Sequence, residues 1–202
     1  MATVKRRVQD LLGRFGIRVS IIKKRGNENF GNYIDDEFPE TYKRFCDESM
    51  VPWQGMHDAF DAAKYVTESS VDGDIVECGV WRGGVSALMK DIICRHEPDS
   101  VRKFWLFDTF EGMSDPSEHD YKGGRDKNDT LAKHKSLLRS DGSSDWCRGE
   151  LSDVKNTLEK SLNGMKNVEL VKGKVEDTLL LDNLPTSIAV LRLDTDFYES
   201  TK

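Results

Sequence analysis

The chain has 202 residues and a formal net charge of −6, with 33% charged and 37% hydrophobic residues. This length suits one sizeable α/β domain and is short for two, and the acidic balance argues against a general nucleic-acid-binding protein. With four scattered cysteines, no secretory leader and no apolar stretch near the roughly 20 residues that span a bilayer, the sequence predicts a reduced, cytoplasmic protein.

The first segment of the chain is strongly basic. Lysines and arginines recur from Lys5 to Arg25, and the same stretch contains a single acid, Asp10. Apolar residues recur among them at helical spacing from Val4 to Phe15. We expect residues 1–50 to form a basic helical extension ahead of a domain at residues 51–202. Two interpretations of the extension stay open: a helix or frayed tail resting on the domain, or weak contact with the inner face of a membrane.

Helical and strand patterns then alternate along the chain. The predicted helices are Pro52 to Glu68, Val85 to His96, and Asp153 to Leu162 with Ser152 as its N-cap. The predicted strands are Ile75 to Cys78, Lys103 to Asp108, Val168 to Val171, and Ile188 to Leu193. Between Met113 and Gly149 the chain is polar, which predicts a surface excursion or lid. This order predicts a parallel sheet with crossover helices.

The turn after the first strand has the pattern of a cofactor site. An apolar strand ends at Glu77 and Cys78, and glycines follow before the next helix begins. Trp81 stands where a dinucleotide-binding turn has the glycine that lets the backbone approach a pyrophosphate, which disfavours NAD and FAD. An acid at Glu77 would instead pair with a cationic amino group, as in S-adenosylmethionine. The alternative is a glycine turn that serves helix packing alone.

Acidic residues also follow the second and fourth strands. Asp108 lies where an α/β cofactor site places the acid that accepts hydrogen bonds from ribose hydroxyls, although a turn or cap residue is the alternative. Asp194 and Asp196 could supply a ligand for a hard cation and a neighbouring general base. The alternative for Asp196 is that it caps a helix beginning at Phe197.

Three ordered motifs carry a resemblance to a known family. Val76 to Gly84 (VECGVWRGG), Phe107 to Met113 (FDTFEGM) and Leu191 to Thr201 (LRLDTDFYEST) together resemble the macrocin O-methyltransferase (TylF-type) family, over roughly residues 40–202. The resemblance implies a Rossmann-like class I methyltransferase sheet with helices on both faces. It also implies S-adenosylmethionine as the cofactor and a divalent cation, usually Mg²⁺. The implied acceptor is a sugar or other hydroxyl of a glycosylated small molecule or polysaccharide precursor.

The same resemblance assigns roles to individual residues. The cofactor-binding residues are Glu77, Gly79, Val80, Gly83, Gly84, Ser86, Asp108, Thr109, Gly173 and Glu176. The catalytic residues are Asp194, which is also the metal ligand, and Asp196, which is a base or an acceptor contact.

The sequence departs from the family pattern at its end. Family members continue past the fourth strand to an Asp-Asp-Tyr segment that supplies two further metal ligands, whereas this chain ends at Lys202. We weigh three explanations and favour the first: a truncated chain, a shortened protein that is a catalytically incomplete cofactor-binding or interaction module, or completion by a partner chain in a homo-oligomer. A nucleotide-dependent oxidoreductase is a further rival, which Trp81 disfavours.

Overall fold

A computed structural model describes residues 35–121 and 127–202. The basic helix predicted between Val4 and Arg25, with its suggested membrane contact, lies outside the described residues. Within the described ranges, no helix combines the length and the apolar character that crossing a membrane requires.

In the part of the chain that the structure describes, four strands form one sheet in which every neighbouring pair is parallel. The strands are β1 (Asp74–Cys78), β2 (Phe104–Asp108), β3 (Val168–Lys172) and β4 (Ile188–Leu193). Their order across the sheet is β3, β2, β1, β4, so β1 lies inside and β4 forms an edge. All four predicted strands are confirmed. In this register Glu77 of β1 lies beside Arg192 of β4 and Leu106 of β2.

Helices connect and cover the strands. They are α1 (Phe38–Phe45), α2 (Trp53–Glu68), α3 (Gly84–His96), α4 (Lys127–Leu137), α5 (Leu151–Leu158) and α6 (Val175–Thr178). The N-cap predicted for α5 is wrong, because Ser152 lies within the helix and Glu150 precedes it. The Glu150 backbone N–H donates to the Asp153 carboxylate over 3.4 Å, which is one half of a capping box.

The sheet buries apolar residues on both faces. Ile75 and Leu106 belong to the larger core, together with Phe38 of α1 and residues of α2, α3 and α5. The opposite face holds a smaller cluster in which Val76 and Phe107 pack with residues that include Val175 of α6. This alternation follows from the two-residue period of a strand. The prediction of helices on both faces is confirmed, although α6 on the second face is a single turn.

The described part of the predicted extension packs with the rest of the domain. Phe38, Tyr42 and Phe45 are at most 1% exposed and lie in the same core cluster as Phe60 of α2. Burying a large side chain of this kind stabilises a fold by roughly 1.5 to 3 kcal/mol, so α1 is integral to the core. The division of the chain at residue 50 stays a prediction.

The polar excursion of residues 113–149 folds back over the segment that follows β4. It contains α4 and an antiparallel bridge between Leu138 and Ser144. The Trp146 ring meets Phe197 edge to face at 5.8 Å, and the Tyr198 backbone N–H donates to Asp120 over 2.7 Å. The excursion and the post-β4 segment therefore form one wall at the carboxyl edge of the sheet.

Cys78 provides a test of how closely this sheet is packed. Burial, followed by the neighbouring Glu77 charge, raises the pKa of the Cys78 thiol to about 11. Only roughly a thousandth of this thiol is thiolate at pH 8, and thiolate is the form that reacts with alkylating reagents. We expect iodoacetamide at pH 8 to modify native Cys78 at least about 100-fold more slowly than the partly exposed Cys94.

Peptide mass spectrometry would follow both modifications over time. Urea-unfolded protein is the control, in which the two cysteines should react at similar rates. Equal rates in the native protein would contradict the buried position of β1.

Candidate active site

A cavity of about 340 Å³ opens at the carboxyl edge of the sheet, within the range usual for small-molecule sites. The turns after all four strands contribute to its wall. The lining residues from these turns include Gly79 and Trp81 after β1, Asp108 and Thr109 after β2, Gly173 to Glu176 after β3, and Asp194 to Phe197 after β4. The wall also contains Met50 to Pro52, ahead of α2, and Met113, Ser114 and Cys147 of the excursion, together with Gly112 and Ser200.

Backbone hydrogen bonds hold the four strand ends in one layer. The Gly79 N–H donates to Phe107 O over 2.9 Å, and the Asp194 N–H donates to Cys78 O over 2.8 Å. Gly79 has a φ of +87°, and a Cβ at this position would run into the carbonyl oxygen of Asp194. The ends of β1 and β4 therefore approach each other as closely as backbone atoms allow.

Asp108 organises the turn beside this contact. Its Oδ2 accepts the N–H groups of Val80 and Trp81 at 2.8 and 3.0 Å, and its Oδ1 accepts the N–H of Phe110 at 2.9 Å. The Thr109 hydroxyl lies 3.4 Å from Oδ1, but its single proton is used in a 2.7 Å bond to Gly112 O. Asp108 therefore serves as a turn residue, and Oδ1 keeps room for one further donor from the cavity. Its predicted contact with a ribose stays a prediction.

Glu77 is buried behind the cavity wall. It is 1% exposed, and it does not line the cavity. Its Oε1 pairs with Arg192 Nη1 at 2.6 Å, and its Oε2 accepts a short hydrogen bond from the Ser86 hydroxyl. Burial raises the pKa of the Glu77 carboxyl, while Arg192 and Ser86 act in the opposite direction. Both Glu77 oxygens have partners inside the protein, and the predicted contact of Glu77 with a cofactor stays a prediction.

The other residues predicted from the glycine turn also lie outside the cavity wall. Val80, Gly83, Gly84 and Ser86 are all buried, the last two within α3, and Gly84 packs against the backbone of Phe45 and Glu48. Gly83 packs against Val154 of α5. The predicted cofactor contacts of these four residues stay predictions. Within the predicted cofactor set, the cavity wall contains Gly79, Asp108, Thr109, Gly173 and Glu176.

Asp194 and Asp196 both line the cavity. Asp194 has a half-exposed side chain, and its Oδ2 accepts from Arg192 Nη2 over 2.8 Å. The described chain after Asp196 forms a turn and not the helix that Asp196 could have capped. In this turn the Lys202 N–H donates to Tyr198 O over 3.0 Å. Over residues 35–121 and 127–202, no cluster of three or more His, Cys, Asp or Glu suited to a metal ion is present.

The cavity wall carries an excess of negative charge. Among the described residues that line it, Asp108, Glu176, Asp194 and Asp196 are acidic, and Lys174 is basic. Carboxylates that face an enclosed space favour cationic ligands and disfavour phosphates. The arrangement therefore suits a small cationic molecule, a metal cation, or both.

Sequence reasoning missed Arg192, which joins Glu77 to Asp194. A charged residue inside the otherwise apolar run Ile188–Leu193 was the available signal, because an arginine in a strand next to a buried acid is expected to pair with it. It also missed Phe197 and Cys147, which line the cavity. These two residues lie in segments without strand or helix periodicity.

Comparison with known proteins identifies relatives of the chain. A family model described as macrocin O-methyltransferase (TylF) matches residues 39–202. The chain is 34% identical over 137 residues to the 8-demethyl-8-(2,3-dimethoxy-alpha-L-rhamnosyl)-tetracenomycin-C 4'-O-methyltransferase of Streptomyces olivaceus, covering 67% of this chain and 47% of that protein. It is 34% identical over 158 residues to the demethyldecarbamoylnovobiocin O-methyltransferase of Streptomyces niveus, covering 76% and 53%.

The fold has a matching solved structure. The O-methyltransferase NovP superposes with a TM-score of 0.59 and 30% identity, covering 76% of this chain and 58% of that one. The chain spans about half the length of the curated relatives that it matches.

Proposed function

The chain belongs to the macrocin O-methyltransferase (TylF) family, and from this membership we propose that it transfers a methyl group from S-adenosylmethionine to a sugar hydroxyl of a glycosylated small molecule or polysaccharide precursor. The observation that carries the proposal is the acid-lined cavity at the carboxyl edge of β1, β2, β3 and β4. This is where open α/β sheets bind nucleotide-type cofactors.

The charge of the cavity supports this cofactor over a dinucleotide. S-adenosylmethionine supplies a methyl group on a sulfonium, whose transfer to an oxygen leaves a neutral thioether and releases the hydroxyl proton. Four acidic side chains and one lysine line the described cavity, which favours a ligand with sulfonium and ammonium charges and opposes a pyrophosphate. Trp81 in the turn adds a side chain where a pyrophosphate would need bare backbone.

Each strand end has a proposed task. Asp108 Oδ1 accepts one ribose hydroxyl, since its other acceptor positions are used by the turn. Gly173 to Glu176, after β3, line the adenine end of the cavity. Asp196 lies beside Asp194 in the cavity wall and accepts the hydroxyl proton of the acceptor as its oxygen gains the methyl group. The cavity wall contributes mainly by holding the acceptor hydroxyl and the methyl group in line, which lowers the barrier to transfer.

A magnesium ion fits this wall as a weakly held, partly hydrated ion. Mg²⁺ in proteins is often bound through one or two carboxylates, with waters and substrate completing its coordination. Asp194 and Asp196 provide two carboxylates here, and one oxygen of Asp194 is already bound to Arg192. When bound, Mg²⁺ lowers the pKa of a hydroxyl that it coordinates. We assign Asp194 as its ligand.

The proposed acceptor class follows from the relatives. One matched protein is a 4'-O-methyltransferase of a rhamnosyl tetracenomycin, and another is an O-methyltransferase of demethyldecarbamoylnovobiocin. A sugar hydroxyl on a small molecule is the acceptor that we propose for this chain. We place the reaction in the cytoplasm, which suits the free cysteines of the described residues.

Calorimetry and a methyl-transfer assay test the proposal together. We expect S-adenosylhomocysteine to bind the protein. NAD⁺ at the same concentration should not displace the bound S-adenosylhomocysteine. We expect radiolabel to pass from S-adenosylmethionine to a rhamnosylated acceptor with Mg²⁺ and to stop in EDTA. Absence of S-adenosylhomocysteine binding, or its displacement by NAD⁺, would overturn the proposal.

A second candidate function is a cofactor-binding or interaction module of the same fold. The observation that favours it is the small donor set for a metal after β4, where the described wall offers the carboxylates of Asp194 and Asp196. Binding of S-adenosylhomocysteine without any methyl transfer, with or without Mg²⁺, would select this candidate.

A further inference from the structure

Arg192 occupies an unusual position for a cation. It lies on the edge strand β4 with its side chain 17% exposed, and its neighbour across the register is the buried Glu77. Its Nη1 pairs with Glu77 at 2.6 Å, and its Nη2 pairs with Asp194 at 2.8 Å. One guanidinium therefore joins a carboxylate behind the cavity wall to a carboxylate in that wall.

The Glu77 end of this link is required by electrostatics. A carboxylate that is 1% exposed is stable as an anion only with a counter-ion and further hydrogen bonds. Arg192 supplies the charge, and Ser86 of α3 supplies the second donor. The guanidinium is thereby fixed in place by groups that do not line the cavity.

The Asp194 end has no comparable requirement. Its side chain is 50% exposed, so water could solvate it without Arg192, and a surface ion pair of this kind contributes little to stability. What the pair does fix is orientation, because the guanidinium is a planar fork whose N–H directions are set. One oxygen of Asp194 is held by Arg192, which leaves the other for a ligand in the cavity.

We propose that Arg192 is a positioning residue that holds the Asp194 carboxylate in place for its ligand and couples β4 to the cofactor turn through Glu77. This inference rests on the proposed function for the identity of that ligand. The link runs from Ser86 at the start of α3, through Glu77 and Arg192, to Asp194. A shift of the turn after β1 is thus transmitted to the aspartate after β4 without a contact between their side chains.

Arg192→Lys is the first test variant. Lysine keeps the positive charge that Glu77 needs but lacks the fork that can hold two carboxylates at once. We expect a folded protein whose S-adenosylhomocysteine affinity stays within about 3-fold, while kcat for a rhamnosylated acceptor falls roughly 10- to 100-fold, the usual consequence of a misplaced catalytic group. Arg139→Lys is the matched control, since Arg139 makes a comparable 2.9 Å pair with Asp145 on the exposed excursion.

Hydrogen exchange supplies a readout that does not depend on activity. We expect peptides covering residues 192–197 to exchange about 10-fold faster in Arg192→Lys than in the parent protein, because local opening is no longer opposed by the link. Peptides from β2 should be unchanged. A Glu77→Gln, Arg192→Gln double variant removes both buried charges together and should show the same local effect if the lysine variant does not fold.

The outcomes separate the two proposals. Unchanged kcat and exchange in Arg192→Lys, or faster exchange spread equally over β2, would overturn the positioning role. A parent protein that binds no S-adenosylhomocysteine would overturn the proposed function, while exchange at residues 192–197 would still decide whether Arg192 holds Asp194.

Discussion

Replacing Gly79 by alanine is expected to lower the free energy of unfolding by about 2 to 5 kcal/mol and to abolish cofactor binding. A left-handed backbone costs an L-residue roughly 1 to 2 kcal/mol, and Gly79 has a φ of +87°. The added Cβ would also overlap the carbonyl of Asp194, and relieving such an overlap costs about 1 to 3 kcal/mol more. Relief must come from separating β1 and β4 at the cavity.

Gly142 provides a matched control for this substitution. It has a φ of +85°, and a Cβ there would meet no atom within 4 Å, so Gly142→Ala carries the backbone cost alone. The midpoint temperature of thermal unfolding should fall by on the order of 10 °C for Gly79→Ala and by only a few degrees for Gly142→Ala. Calorimetry with S-adenosylhomocysteine should show binding for the second variant alone. Equal behaviour of the two variants would mean that the close approach of β1 and β4 is not needed.

Replacing Asp108 by asparagine is expected to damage both the fold and the site. The carboxylate accepts three backbone N–H groups, from Val80, Trp81 and Phe110. Asparagine keeps one acceptor oxygen and turns an NH₂ toward the remaining donors, and each buried donor left without a partner costs about 1 to 3 kcal/mol. Loss of a charge-assisted bond to a ribose hydroxyl would weaken S-adenosylhomocysteine binding by roughly 10- to 100-fold.

The control for Asp108→Asn is Asp141→Asn. Asp141 also accepts a backbone N–H two residues on, from Ser143 at 3.0 Å, but in an exposed turn of the excursion. Its replacement should leave both the unfolding temperature and the S-adenosylhomocysteine affinity unchanged. An Asp108→Asn protein of unchanged stability that no longer binds the ligand would show that the carboxylate serves the ribose and not the turn. Normal binding in a destabilised protein would show the reverse.

The sequence predicts the sheet well because its signals are local. Runs such as Phe104–Asp108 are apolar enough to be buried on both faces, and glycine or aspartate marks their ends. Once the strands are predicted to be parallel, the location of Asp108, Asp194 and Asp196 can also be predicted. Parallel strands end at the same carboxyl edge of the sheet, so residues at their ends lie together. That is why these three residues, with Gly79, lie in the cavity wall as expected.

The remaining features depend on register and packing, which local patterns do not contain. The position of Glu77 near the end of β1 predicts a cofactor contact, which stays a prediction, but it does not reveal the ion pair with the cross-strand neighbour Arg192. The contact between Trp146 and Phe197 joins segments that have no shared periodicity. The start of α5 was misplaced by two residues, because Glu150 and Ser152 are both capable of preceding a helix.

The pairing of Glu77 with Arg192 can form only after both β1 and β4 have been synthesised. The two residues are 115 positions apart in sequence, although their strands are neighbours. A nascent chain that has emerged only as far as β3 carries the inner strand β1 with one side unpaired and the Glu77 carboxylate without its counter-ion. Contacts of such long range form late and slow the folding of a domain. The centre of the sheet can therefore close only after β4, which follows β3 in the chain, has left the ribosome.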